Sequence, residues 1–120
     1  LNIWQIAYKL MLEVHQISKN LLPKDERFRL RDQAERSSSS VVDAIVEGYS
    51  TFYFKDKMKS FYLARRESAE TQGHLRKMEG KGYISRERSN YLIEQYEGLI
   101  RGVNGFIRYV KEKQSKKSKS

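Results

Sequence analysis

Six apolar residues near the start of the chain, Ile3, Ala7, Leu10, Val14, Ile17 and Leu21, step alternately by four and three. That stepping places them on one stripe of an α-helix, and such a stripe must be covered by another element. Trp4 and Met11 widen it. The same stepping runs through Leu30, Ala34, Ser37, Val41, Ile45 and Gly48, and again through Leu92, Tyr96, Leu99, Val103, Phe106 and Val110. Between these, Met58, Phe61, Tyr62, Leu75 and Met78 anchor the ends of another segment, whose middle from Ala64 to Thr71 is small and polar. Pro23, an aromatic-polar patch near residues 50–56, and Gly80 with Gly82 separate the segments. No strand pattern competes. The spacing predicts an all-α chain, an antiparallel up-down-up-down four-helix bundle with helices at about 2–22, 25–50, 55–80 and 86–111. Asp25 and Glu26 suit the first turn of the second helix, where acids complement the helix dipole, and Ser85 suits the N-cap of the last. Residues 1–112 form the bundle domain, and the Lys- and Ser-rich stretch 113–120 is predicted to be a disordered basic tail.

If the second and third helices form a hairpin centred near Tyr53, Arg36 falls level with Glu70 and Ser38 with Ser68. This predicts a partly buried Arg36–Glu70 ion pair, a contact that fixes register more than it adds stability. Ser37 and Ser38 would let the neighbouring helix approach closely. Gly98, Gly102 and Gly105 share one side of the last helix. Each glycine costs about 1 kcal/mol against alanine in a helix, so the stripe predicts close packing, within the bundle or against another copy.

Lysine and arginine number 24 against 15 acids in 120 residues, a net charge of +9. A basic surface of this size favours polyanions. The candidate nucleic-acid-binding residues are Lys55, Lys57, Lys59, Arg66, Arg76, Lys77, Lys81, Arg86, Arg88, Arg101 and Arg108, together with the tail. Arg65 stands at the small-residue level, where a structural role competes. Phe52, Tyr53 and Phe54 lie beside three of the lysines; aromatics so placed can stack bases, but closing the end of the core is the favoured expectation. Without cysteine there is neither a disulfide framework nor a thiolate metal site. A di-iron bundle needs two Glu-x-x-His motifs, and neither His15 nor His74 follows a glutamate by three. Residues Ser37 to Ser40 have no histidine level with them to act as base. No catalytic, cofactor-binding or metal-ligating residue is expected, nor a small-molecule substrate. The absence of a spanning-length apolar run and of a signal-peptide layout points to the cytoplasm and away from a membrane.

At these residues the sequence resembles the bacterial four-helix-bundle family encoded by intervening sequences inside 23S ribosomal RNA genes, to which accessory proteins of diversity-generating retroelements are related. The family's opening is met by Ile3-Trp4-Gln5-Ile6-Ala7 and its Pro-x-x-Glu-Arg-x-x-Leu by Pro23 to Leu30. Gln33, Arg36, Ser40-Val41 and Ile45-Val46-Glu47-Gly48 match the second helix. Ala64, Arg65, Glu67, Glu70 and Thr71 match the third, and Gly82-Tyr83-Ile84-Ser85 with Val103-Asn104-Gly105-Phe106-Ile107 the last loop and helix. Val42 and Ala44 replace a common Pro and Asn. The resemblance implies a homo-oligomer, commonly a ring-shaped pentamer, without enzymatic activity. It also implies binding of nucleic acid or a nucleoprotein or, alternatively, a scaffold role toward an acidic protein partner such as a reverse transcriptase.

Overall fold

A computed structural model describes residues 2–119, with side chains as far as Lys117. Four helices run in alternate directions: α1 (Ile3–Leu21), α2 (Leu30–Ser50), α3 (Phe54–Gly80) and α4 (Arg86–Lys119). Each packs on the next in sequence and α1 closes against α4, while the diagonal α2 and α4 meet through the Tyr49 and Phe106 rings, 5.2 Å apart. Asn2 caps α1 reciprocally with Gln5: the Asn2 side chain accepts from the Gln5 N–H at 2.9 Å, and Gln5 Oε1 accepts from the Asn2 N–H at 3.0 Å. Ser85 caps α4 as predicted, accepting from the Arg88 N–H at 3.1 Å. Gly82, at φ +79°, makes the left-handed turn that ends α3.

The second helix starts later than its sequence signals suggest. Lys24–Glu26 form a single 3₁₀ turn and α2 begins at Leu30, because Glu26 is drawn inward by partners far along the chain, described below.

The core is the predicted stripes folded together: Val14, Ile17, Val41, Ile45, Phe61, Leu75, Met78, Leu92, Tyr96, Leu99 and Val103 are fully buried. Its small, polar middle is satisfied locally. Ser38 donates to the Ala34 carbonyl at 2.8 Å, Ser68 to that of Ala64 at 2.8 Å, and Thr71 to that of Glu67 at 2.9 Å. A hydroxyl bonded to the carbonyl one turn back can be buried without an unmet donor. Ser37 and Thr71 share a hydrogen bond of 2.7 Å across α2 and α3. Ser37 and Ser38 are both buried.

That contact also sets the register, two residues further along α3 than a turn centred at Tyr53 implies. The reason is packing: the Phe61 ring seats on Gly48, where a Cβ would come within 2.8 Å of it. The predicted Arg36–Glu70 pair is not formed. Arg36, its side chain 78% exposed, bonds along its own helix to Asp32 at 3.4 Å, while Glu70 shares a hydrogen bond with Glu67.

The end of the last helix is corrected as well. The helix does not stop at residue 111: α4 continues to Lys119. The stretch after Val110 has no proline or glycine, and extending a nucleated helix through Lys, Glu and Gln costs little. The side chains of Ser118 and Lys119, and Ser120, lie outside the described residues. Of the three glycines, only Gly102 is closely approached, with Ile3 Cγ2 2.7 Å from where its Cβ would stand; at Gly98 and Gly105 a Cβ would meet only the tips of Arg101 and Arg108, 3.6 and 3.8 Å away. Gly98→Ala and Gly105→Ala are therefore expected each to stabilise the fold by about 0.5–1 kcal/mol, whereas Gly102→Leu should cost about 1–3 kcal/mol through overpacking. Urea denaturation of the three variants checks the ordering.

Candidate nucleic-acid interface

Positions 55, 59, 62 and 66 recur at helical spacing, so Lys55, Lys59, Tyr62 and Arg66 occupy one outer face of α3. The long α4 runs back along this face and delivers Lys111, whose Nζ lies 5.8 Å from the centre of the Tyr62 ring. Together with Phe54, Met58 and Leu63 these residues line a groove of about 660 Å³. Phe54 also borders a second groove of about 250 Å³, which holds Lys57, Lys113 and Lys117 around Phe106 and Tyr109. Lys113 Nζ sits 5.0 Å over the Tyr109 ring. The linings of the two grooves contain seven cations and no carboxylate. Lys57 is partly committed, donating to the Gly48 carbonyl at the end of α2. Arg65 is structural: it donates to Asn104 Oδ1 at 2.8 Å and lies 5.0 Å over Tyr62.

The aromatic residues at the adjoining α2–α3 turn do not close the core. Phe52 is 89% exposed and Tyr53 69% exposed, the two touching edge to face at 5.4 Å. Of the three rings Phe54 packs against the core, while Phe52 lines the second groove beside α4.

The remaining basic candidates lie elsewhere. Arg76 bonds Glu79 at 2.9 Å and Asn90 at 2.8 Å, and Arg86 reaches Glu79 at 3.5 Å. Lys81 donates at 2.6 Å to Glu26, which also accepts from the Tyr83 hydroxyl at 2.9 Å. These contacts tie the two loops at the opposite end of the bundle together. Lys77 lines an acidic groove, described next. Arg88, Arg101 and Arg108 are exposed along α4. The structure therefore brings Lys55, Lys59 and Arg66 together, sets Lys57 beside them, and disperses the rest.

Along α2 and α3 runs a groove of about 890 Å³ of the opposite sign, lined by Asp32, Glu35, Asp43, Glu47, Glu67 and Glu70 against Arg36 and Lys77. Burial, then the hydrogen bond and repulsion from Glu70, raise the Glu67 carboxyl above its ordinary range. Burial, reinforced by Lys77, lowers His74. Among the described residues no group of three or more His, Asp or Glu is arranged to hold a metal ion. Such a groove repels polyanions.

Glu26 is 3% exposed yet charged. Hydrogen bonds from Lys81 and then Tyr83 hold its carboxyl below the ordinary 4.5; the same contact raises Lys81 above 10.5. A carboxylate with a depressed pKa lends stability above its unfolded pKa and loses it as pH falls through the folded value; a raised lysine lends stability below its unfolded pKa and loses it as pH rises through the folded one. Glu26→Gln should thus lower the melting temperature by several degrees between about pH 4.5 and 10.5. Thermal scans across pH should show the gap from the parent protein closing in acid.

Sequence reasoning missed two features. Tyr62 reads as a core anchor of the third helix and Lys111 as the last residue of the fourth, and neither reading brings the two together across α3 and α4. Tyr8, Leu12 and Val46 are 40–48% exposed. His15 meets Ser39 at 3.1 Å, and Ser18 hydrogen-bonds Glu35; this α1–α2 register sets Tyr8 level with Val46. With half-buried Trp4, stacked on Tyr8 at 5.2 Å, they form an apolar patch. The repeat of Trp4, Tyr8 and Leu12 every four residues was its available signal.

Fold and site define a class: a four-helix bundle basic and aromatic at one end and acidic along one flank. The chain belongs to the 23S rRNA-intervening sequence protein family, whose pattern it matches over residues 1–105. In three dimensions it is similar to the 1.70 Å crystal structure of a protein of unknown function from the S23 ribosomal protein family of Bacteroides thetaiotaomicron. The TM-score is 0.81 at 19% identity, covering 88% of this chain and 95% of that one, a likeness of fold. No protein of curated function matches the sequence significantly. Among the described residues no helix is long and apolar enough to cross a membrane.

Proposed function

We propose that the chain is a non-enzymatic, homo-oligomeric bundle, pentameric in its assembled form, that binds nucleic acid or a nucleoprotein through the basic end. The observation carrying this reading is the pair of adjoining grooves with seven cations and no carboxylate in their linings. A polyanion gains from every cation there and is repelled from the acidic flank. Self-assembly is supported by the patch of Tyr8, Leu12 and Val46, which stands exposed among the described residues. Assembly repeats the basic end on each subunit, so weak contacts add as avidity.

Two measurements test the reading. Light scattering should give about five times the 14.2 kDa protomer mass, and Tyr8→Glu with Val46→Glu should reduce it to one. Mobility shift should show the assembled protein retarding unrelated RNA and DNA. A monomer that leaves both mobilities unchanged sinks the reading; retention of an acidic protein alone would replace it with the scaffold role.

A further inference from the structure

The geometry points to single-stranded nucleic acid, with its bases unstacked, as the ligand of the basic end. This rests on the nucleic-acid reading above and goes further, since a basic surface by itself would serve a duplex equally.

Three observations carry it. First, the larger groove is not a plain cationic strip. Buried Met58 and half-buried Phe54 and Leu63 form its floor beside the more exposed Tyr62 ring, and its charges stand exposed on Lys55, Lys59, Arg66 and Lys111. An apolar, aromatic floor under a cationic rim matches a nucleotide, whose flat base is apolar on its faces and whose phosphate is charged. A duplex keeps base faces inside its stack and would leave that floor unused. Second, Phe52 and Tyr53 stand in water at the turn leading into the groove. Exposed rings cost solubility and contribute nothing to this core, but base stacking on such rings is worth about 1–3 kcal/mol per base. Third, Lys55 and Lys59 are one helical turn apart, about 6 Å along the axis, close to the separation of neighbouring phosphates on an extended strand. One strand laid along α3 can therefore put successive phosphates on successive cations while its bases turn out to the exposed Phe52–Tyr53 pair.

The test uses the full chain in its native assembly. Fluorescence anisotropy at low salt compares a thymidine homopolymer of about 20 nucleotides with a mixed-sequence duplex of the same length. The single strand is expected to bind at least about 10-fold tighter. Phe52→Ala with Tyr53→Ala removes only exposed rings, so the fold should survive, as circular dichroism can verify. It should weaken single-strand binding by about 10-fold or more and leave duplex binding unchanged. Equal or tighter binding of the duplex, or an indifferent Phe52/Tyr53 variant, would overturn the single-strand proposal while leaving nucleic-acid binding intact. Failure of both probes to bind would overturn the broader reading as well.

Discussion

Phe61→Ala is expected to cost about 3–5 kcal/mol of folding stability, a large share of the roughly 5–15 kcal/mol that holds a small domain together. Phe61 is fully buried where α2, α3 and α4 converge, with ring centres 5.1 Å from Phe106 and 6.1 Å from Tyr49. Its seat is the bare backbone of Gly48. A Cβ there would approach the ring to 2.8 Å, well inside the ~3.5–4.0 Å at which carbons attract. Gly48→Ala should therefore destabilise by about 1–3 kcal/mol, despite alanine's advantage in a helix. In a Phe61→Leu background the same change should cost much less, because the smaller side chain vacates the contested space. Urea denaturation of the four proteins in the cycle gives the coupling, expected at 1 kcal/mol or more. Simple addition of the two costs would mean that ring and glycine do not set the hairpin register.

This seat also shows which features could be read from the sequence. The four stripes, their order and the capping serine are periodic or local, and a one-dimensional pattern carries them. Register is different. Counting outward from Tyr53 brought Arg36 level with Glu70, but register is fixed by two tertiary contacts, Phe61 on Gly48 and Ser37 on Thr71, so the predicted pair never forms. The late start of α2 has the same origin: Asp25 and Glu26 are sound helix-starting residues, yet the Glu26 carboxylate is claimed by Lys81 and Tyr83, more than fifty positions away.

The basic end was half legible. Lys55, Lys57, Lys59 and Arg66 were visible as charge, and the neighbouring aromatics as a cluster. Their roles depend on what covers them. Composition assigned Phe52 and Tyr53 to the core and residues 113–120 to a disordered tail; the turn is uncovered, and α4 instead continues as a helix that brings Lys111 and Lys113 onto Tyr62 and Tyr109. Charge counting likewise does not separate cations facing solvent at the grooves from Arg76 and Arg86, which both reach Glu79, and Lys81, which links the two loops through Glu26.

That separation governs the steepest effect expected of this protein, the salt dependence of its binding. A single strand that releases counterions from Z phosphates loses affinity with a log–log slope of about −0.7Z. The larger groove supplies four cations, which gives a slope of about −2.8 and roughly a 50-fold loss between 50 and 200 mM salt; full engagement of all seven would bring the loss to about 900-fold. Since Lys57 already serves Gly48 and Lys117 makes contacts of its own, the lower figure is expected for one protomer. Lys55→Gln with Lys59→Gln should make the slope shallower by about 1.4 at unchanged thermal stability. Arg76→Gln with Lys81→Gln removes the same charge from the opposite end, and should do the reverse: leave the slope alone and lower the melting temperature, because both side chains are occupied by Glu79 and Glu26. Equal effects of the two double variants on the slope would mean that net charge, rather than the placement of these grooves, governs what the protein holds.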